Sequence, residues 1–153
     1  MNTFISKKDK KSYTFIIHKD SNTNAKNLEG EIKKVIPDKP IGDNYSLVYI
    51  YYLVDKKFNY PKGESDVLYI GSTIGEKHNN KKSAAFRFAH LKEGTDCKQN
   101  ITLQYFYKKG DAIGLDIYEL NDCRETEKQW RYQFLKKYYA LPIADGASCS
   151  KKD

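Results

Sequence analysis

The chain has 153 residues, of which 39% are apolar and 14% aromatic, enough for the core of one domain. Lys and Arg number 27 against 20 Asp and Glu, a net charge of +7 that favours polyanionic partners or, equally, a solvated Lys-rich surface. No run approaches the roughly 20 apolar residues that span a bilayer, and no apolar signal segment follows Met1. We therefore expect no membrane association, and three cysteines without CxxC spacing favour a reducing, cytoplasmic location.

Residues 1–44 are predicted to form an N-terminal extension packed on the main domain. Alternating apolar residues predict a strand at 13–18, and apolar spacing predicts a short helix at 27–36. Pro37 would end that helix because proline lacks the backbone N–H.

Two aromatic strands are predicted at the start of the main domain. Residues 46–54 are apolar or aromatic on both faces, which is typical of a covered inner strand. Residues 55–66 carry Pro61 and Gly63 and are predicted to form a long hairpin loop. Residues 67–73 would then return antiparallel.

Helices and one further strand follow. Ser83 is a suitable N-cap for a helix reaching about residue 93, on which Arg87 and His90 are neighbours at i, i+3. Residues 96–108 predict a second helix closed by Gly110, and residues 113–120 alternate as a third strand.

The last helix has the strongest pattern. Asp122 and Glu125 have the spacing of a capping box. Glu127 is predicted to project from the apolar face of this helix, where a carboxylate is costly unless something pairs with it. Apolar residues then recur at helical spacing up to a terminating Pro142: Trp130, Phe134, Tyr138 and Leu141.

The predicted fold class is mixed α/β of the α+β type. A small antiparallel three-stranded sheet is flanked by helices, with the short N-terminal strand and helix appended. The main domain would occupy residues 45–148, and residues 149–153 would form a tail.

The order of these motifs resembles the GIY-YIG nuclease family over roughly residues 45–148. Tyr69-Ile70-Gly71 is an unaltered YIG, and Leu47-Val48-Tyr49 stands where members carry Gly-Ile-Tyr. Arg87 with His90 matches the arginine helix, and Glu127 matches the glutamate helix. The late asparagine of the family is missing, and Asp145 or Ser148 are the small polar residues near its place.

The resemblance implies a divalent-metal-dependent DNA endonuclease of the restriction, phage or mobile-element type. Tyr49 and Tyr69 would orient or deprotonate the attacking water. Arg87 would stabilise the transition state through its planar fork, and His90 would polarise a hydroxyl or contact phosphate. Glu127 would hold one Mg²⁺ or Mn²⁺, which carboxylates and waters suit. A tyrosine acting as base needs its pKa, ordinarily about 10, to be lowered by nearby positive charge.

The expected partner is DNA, double-stranded rather than single-stranded or RNA, bound by a monomer or homodimer. The expected contacts to nucleic acid lie after the second strand and at the second helix: Gly71, Ser72, Thr73, Lys77, Lys81, Lys82 and Asn100.

Each assignment has an ordinary structural alternative. Tyr49 and Tyr69 can be strand aromatics of the core, and Glu127 can be a buried partner of an Arg or Lys. The missing asparagine supports a catalytically impaired nucleic-acid-binding module on the same scaffold. A structural or partner-binding protein, whose positive charge only keeps it soluble, is a further possibility.

Overall fold

A computed structural model describes residues 5, 9–19, 46–74 and 98–145 of the chain. Neither helix within these ranges has the length and apolar character needed to cross a membrane. The elements in chain order are β1 (Tyr13–Ile17), β2 (Ser46–Leu53), β3 (Phe58–Tyr60), β4 (Gly63–Ser65), β5 (Val67–Ile74), α1 (Lys98–Lys109), β6 (Ile113–Glu119) and α2 (Cys123–Tyr138).

The main sheet has four antiparallel strands in the order β1-β6-β2-β5. The mixed α+β class is therefore confirmed, with the predicted N-terminal strand joining the sheet as its fourth member. β2 lies between β5 and β6, which explains why its sequence is apolar on both faces. β5 has a strand neighbour on one side only among the described residues, so it forms an edge of the sheet.

A helix covers each face of the sheet. The odd-numbered residues of β2, including Tyr49 and Tyr51, pack in one cluster with Leu103 of α1. The even-numbered Val48 packs in a second cluster with Phe134 of α2. Period-two alternation along a strand thus divides the core into two layers.

The ends of α2 differ from the prediction. Asp122 is the N-cap residue, but no side-chain capping bond forms; its carboxylate accepts the Thr126 hydroxyl at 3.2 Å instead. The helix ends at Tyr138 because Tyr139 adopts a left-handed conformation with φ of 58°. Leu141, predicted on the apolar helix face, therefore lies beyond the helix and is partly exposed.

The segment predicted as a hairpin loop contains a second two-stranded sheet, β3–β4. The Tyr60 hydroxyl donates to the Val67 carbonyl oxygen at 2.6 Å and accepts the Ile143 N–H at 3.0 Å. This hairpin thereby ties the start of β5 to the segment after α2. The helices predicted at 27–36 and 83–93 lie outside the described residues.

Replacing Phe134 by alanine should destabilise the protein by about 3–5 kcal/mol, because its ring is fully buried between α2 and the sheet. Urea unfolding followed by circular dichroism measures this loss. The neighbouring exposed Gln133→Ala is the control and should change stability by less than about 0.5 kcal/mol. Similar losses for the two variants would contradict the packing of α2 on this face.

Candidate active site at the edge of the sheet

Two tyrosines and a glycine meet on the α1 face of the sheet. Tyr49 is paired with Gly71 across β2 and β5, and the ring centroids of Tyr49 and Tyr69 are 5.8 Å apart. A Cβ at position 71 would lie 2.5 Å from Tyr69 Cε1 and 2.7 Å from Tyr49 Cζ. Only glycine leaves room for both rings, so steric crowding explains why glycine occupies the last position of the YIG motif.

The Tyr49 and Tyr69 hydroxyls are hydrogen-bonded to each other, and this bond raises the pKa of Tyr49 and lowers the pKa of Tyr69. The bond therefore favours ionisation of Tyr69 over ionisation of Tyr49. Burial is the main cause that raises the pKa of both groups above the ordinary value, and the charge of Glu127 raises both further. In the described part of the chain, the tyrosines are thus hydrogen-bond donors at neutral pH, and Tyr69 is the one that ionises more readily.

Glu127 approaches the same edge from the opposite face. Val48, on the α2 face, is paired with Ser72, which follows Gly71 and so points to the side of α2. The Ser72 hydroxyl donates to Glu127 Oε2, and Arg124 Nη1 donates to Ser72 Oγ at 2.9 Å. Glu127 is half-buried on the flank of α2, whereas Trp130 occupies its buried centre. Glu127 therefore contacts the sheet from the flank of α2, beside the apolar face from which it was predicted to project.

The chain after α2 closes the edge of β5. The Ala144 N–H donates to the Leu68 carbonyl oxygen at 2.8 Å. The Ile70 N–H donates to the Asp145 carboxylate and helps to lower its pKa. Backbone groups at an open sheet edge need such partners. This contact places Asp145, 95% buried from solvent, beside Tyr69.

Arg131 lies between the two carboxylates. Its Nη1 is 3.8 Å from Glu127 Oε1, and its Nε is 3.7 Å from Asp145 Oδ2. These distances give charge attraction, yet among the described residues neither Arg131 Nε nor Asp145 Oδ2 has a hydrogen-bond partner. Burial raises the pKa of Asp145 to about 7, the charge of Arg131 opposes this rise and the charge of Glu127 adds to it. We call Tyr49, Tyr69, Ser72, Glu127, Arg131 and Asp145 the edge site.

The edge site offers hard oxygen donors of the kind that Mg²⁺ and Mn²⁺ prefer. Glu127 is the carboxylate at its more open side, and one or two carboxylates with waters suffice for Mg²⁺. No group of three or more His, Cys, Asp or Glu residues with metal-binding spacing occurs within the ranges that the structure describes. The residues present therefore fit a single, largely hydrated ion held by Glu127, and no closed metal cage.

The predicted site residues are only partly within the described chain. Tyr49, Tyr69, Gly71, Ser72 and Glu127 are brought together. Thr73 is buried, with its carbonyl oxygen accepting from the Cys123 thiol at 3.7 Å, so its placement favours a structural role over a contact to nucleic acid. The other predicted residues with positive charge or imidazole lie outside the described residues: Lys77, Lys81, Lys82, Arg87 and His90.

Asn100 belongs to the first turn of α1, and its side chain lies outside what the structure describes. Lys98, two residues earlier, is close enough for its charge to lower the pKa of Asp145. The beginning of α1 is therefore near the edge site, as the prediction for Asn100 requires.

Sequence reasoning missed Arg131 and Arg124. The i, i+4 spacing of Glu127 and Arg131 was a usable signal, since it places the two charges side by side on a helix. Arg124 carried no such signal, because its contact is to Ser72 on another element.

Comparisons of the chain with protein-family models, with curated proteins and with solved structures found no match.

Asp145→Asn should alter how stability depends on pH. The folded-state pKa of Asp145 is about 7, above the unfolded value near 3.8, so the folded protein binds the extra proton between these values. Asp145 therefore favours folding at acid pH, and this contribution is lost as pH rises through about 7. At about 1.4 kcal/mol for each unit of pH, the loss is at most about 4 kcal/mol.

The asparagine variant lacks this titration, so its free energy of unfolding relative to wild type should increase between pH 4 and pH 7. Chemical unfolding at both pH values measures the difference. Asp122→Asn, exposed at the start of α2, is the matched control. A constant difference between Asp145→Asn and wild type across this range would show that Asp145 is ionised throughout.

Proposed function

We propose that this chain is a divalent-metal-dependent endonuclease that hydrolyses DNA phosphodiester bonds, with the edge site as its active site. One observation carries the proposal. The Tyr49–Tyr69 pair and the Glu127 carboxylate reach the same sheet edge from opposite faces, and Glu127 is close enough to raise the pKa of both tyrosines. A restriction, phage or mobile-element nuclease is the type of enzyme we propose.

The tyrosines would position the attacking water. Tyr69 is the less buried of the two and ionises more readily, so its hydroxyl is the group available to a water molecule. Tyr49 would hold Tyr69 in place and favour its ionised form. The charge of Arg131 lowers the pKa of Tyr69, and any further cation at the site would act in the same direction.

Glu127 is the residue that would hold Mg²⁺ or Mn²⁺, and Ser72 fixes its side-chain orientation. The ion, when bound, supplies Lewis-acid stabilisation of charge on the phosphoryl oxygens. Arg87 remains predicted to bind the phosphate through its guanidinium fork, and His90 remains predicted to contribute a hydrogen bond. The predicted contacts to the DNA backbone remain Lys77, Lys81 and Lys82.

A second candidate function is DNA binding without cleavage. The raised pKa values of Tyr49 and Tyr69 favour it, because neither is a base at neutral pH without added positive charge. The contacts of Glu127 favour it too, since one oxygen faces Ser72 and the other faces Arg131. Such a module would bind DNA with strong salt dependence and would leave plasmid DNA intact in Mg²⁺ or Mn²⁺.

Glu127→Gln should reduce metal-dependent nicking of supercoiled plasmid at least about 100-fold, because a Lewis acid supplies several kcal/mol of stabilisation to the transition state. Glutamine can still accept the Ser72 hydroxyl, so the melting temperature should change little. DNA binding should persist or tighten, since one negative charge near the phosphates is removed.

The matched control is Glu125→Gln, an exposed glutamate on the same helix, which should nick at the wild-type rate. If Glu127→Gln lowers the melting temperature markedly while the folded fraction keeps its specific activity, Glu127 is a structural ion-pair partner and the proposed active site is wrong. If the wild-type protein binds plasmid but never nicks it with either metal, the non-catalytic module is the better description.

A further inference from the structure

We infer that a groove on the outer surface of α2 binds one unpaired strand of nucleic acid beside the edge site. This inference rests on the proposed function only in taking nucleic acid as the partner. The groove has a volume of about 350 Å³, at the lower end of the range for ligand sites. We call it the α2 groove, and it is lined by Arg124, Glu127, Lys128, Arg131, Tyr132, Leu135 and Leu141.

Cations line the part of the α2 groove nearer the start of the helix. Arg124, Lys128 and Arg131 recur at i, i+4 and i+7, so they share one side of the helix. Arg124 is fixed by its hydrogen bonds to the Ser72 carbonyl oxygen at 3.1 Å and hydroxyl at 2.9 Å. Arg124, which is held in place, and Lys128 are exposed and suit the phosphates of a strand that runs along the helix, whereas Arg131 already lies beside the two carboxylates of the edge site.

Apolar side chains line the part of the α2 groove nearer the end of the helix. Tyr132 is 57% exposed, Leu135 40% and Leu141 39%, and all three line the α2 groove. Clustered exposed apolar side chains rimmed by polar ones are typical of a binding surface. Leu141 reaches this place only because α2 ends at Tyr138 and the chain turns back toward β5.

One occupant satisfies both parts of the groove. A duplex presents phosphates and sugars along its backbone while its bases stay stacked inside, so it offers nothing to the apolar part. An unpaired nucleotide offers its phosphate to the cations and its base to Tyr132. Arg131 and Glu127 belong to the edge site and also line the α2 groove. A strand bound in the α2 groove would therefore continue directly into the edge site.

The test measures binding of fluorescent oligonucleotides by anisotropy, in the absence of divalent metal so that no cleavage occurs. Tyr132→Ala should weaken binding of single-stranded DNA about 5- to 100-fold, as expected for loss of one stacked base. It should weaken binding of a blunt duplex far less. Tyr132→Phe keeps the ring and should restore near wild-type binding. Lys128→Gln should reduce the slope of log affinity against log salt by about 0.7 on single strands.

The chain offers a closely matched control. Tyr105 on α1 is 59% exposed, and the Lys109 ammonium lies 5.8 Å from its ring centroid. Tyr132 is similar: it is 57% exposed, and the Lys136 ammonium lies 5.5 Å from its ring centroid. Tyr105→Ala should leave binding of both DNA forms unchanged. Equal effects of Tyr105→Ala and Tyr132→Ala, or equal weakening of single strands and duplex by Tyr132→Ala, would overturn the inference.

Two further outcomes test strand binding in the α2 groove separately from the proposed nuclease activity. A concentration-dependent dimer that Tyr132→Ala abolishes, with DNA binding unaltered, would make the α2 groove an interface between copies of the chain and overturn the inference. In the second outcome, the wild-type protein binds DNA without ever cleaving it, while Tyr132→Ala selectively loses binding of single strands. That combination would contradict the proposed nuclease and support single-strand binding in the α2 groove.

Discussion

The edge site depends on the closure of the β5 edge by the segment that follows α2. The Ala144 N–H meets the Leu68 carbonyl oxygen, and the Ile70 N–H meets the Asp145 carboxylate. An open edge would leave these backbone groups to water or to another chain. Because the segment is also tied to Tyr60, the direction in which α2 ends is fixed. That direction sets where the flank of α2, and hence Glu127, meets the sheet.

Closing the edge in this way has an electrostatic cost. It brings Asp145, largely removed from water, close to Glu127, with Arg131 as the described cation between them. Burying like charges is unfavourable unless they are paired with good geometry, and the 3.7 Å separation of Arg131 Nε and Asp145 Oδ2 is too long for a hydrogen bond. A well-packed apolar cluster would stabilise this edge better. An arrangement that costs stability in this way supports the proposal that the edge site is an active site.

The sequence predicted what depends on local pattern. The alternation in β2 and β5 and the spacing of Trp130 and Phe134 in α2 were sufficient for these elements, and the YIG motif located the pair of tyrosines. What failed depends on local side-chain and backbone geometry or on contacts between distant residues. The predicted Asp122 capping bond is replaced by a bond to the Thr126 hydroxyl. Leu141 lies outside the helix because the helix ends before Tyr139, which has a left-handed conformation. Arg131 could be placed in the site only once the segment carrying Asp145 was seen beside β5.

The position of β5 at the edge of the sheet explains how one site draws on both faces. Successive residues of a strand point to opposite sides, so Gly71 lies under the tyrosines on the α1 face while Ser72 turns toward α2. In a central strand, these two environments would be separated by the neighbouring strands. At an edge, side chains from both faces can extend past the backbone and approach each other. The Ser72–Glu127 bond and the effect of Glu127 on the Tyr49 pKa are both consequences of this geometry. The Gly-Ser step on this edge strand therefore lets both layers of the small core contribute side chains to one polar site.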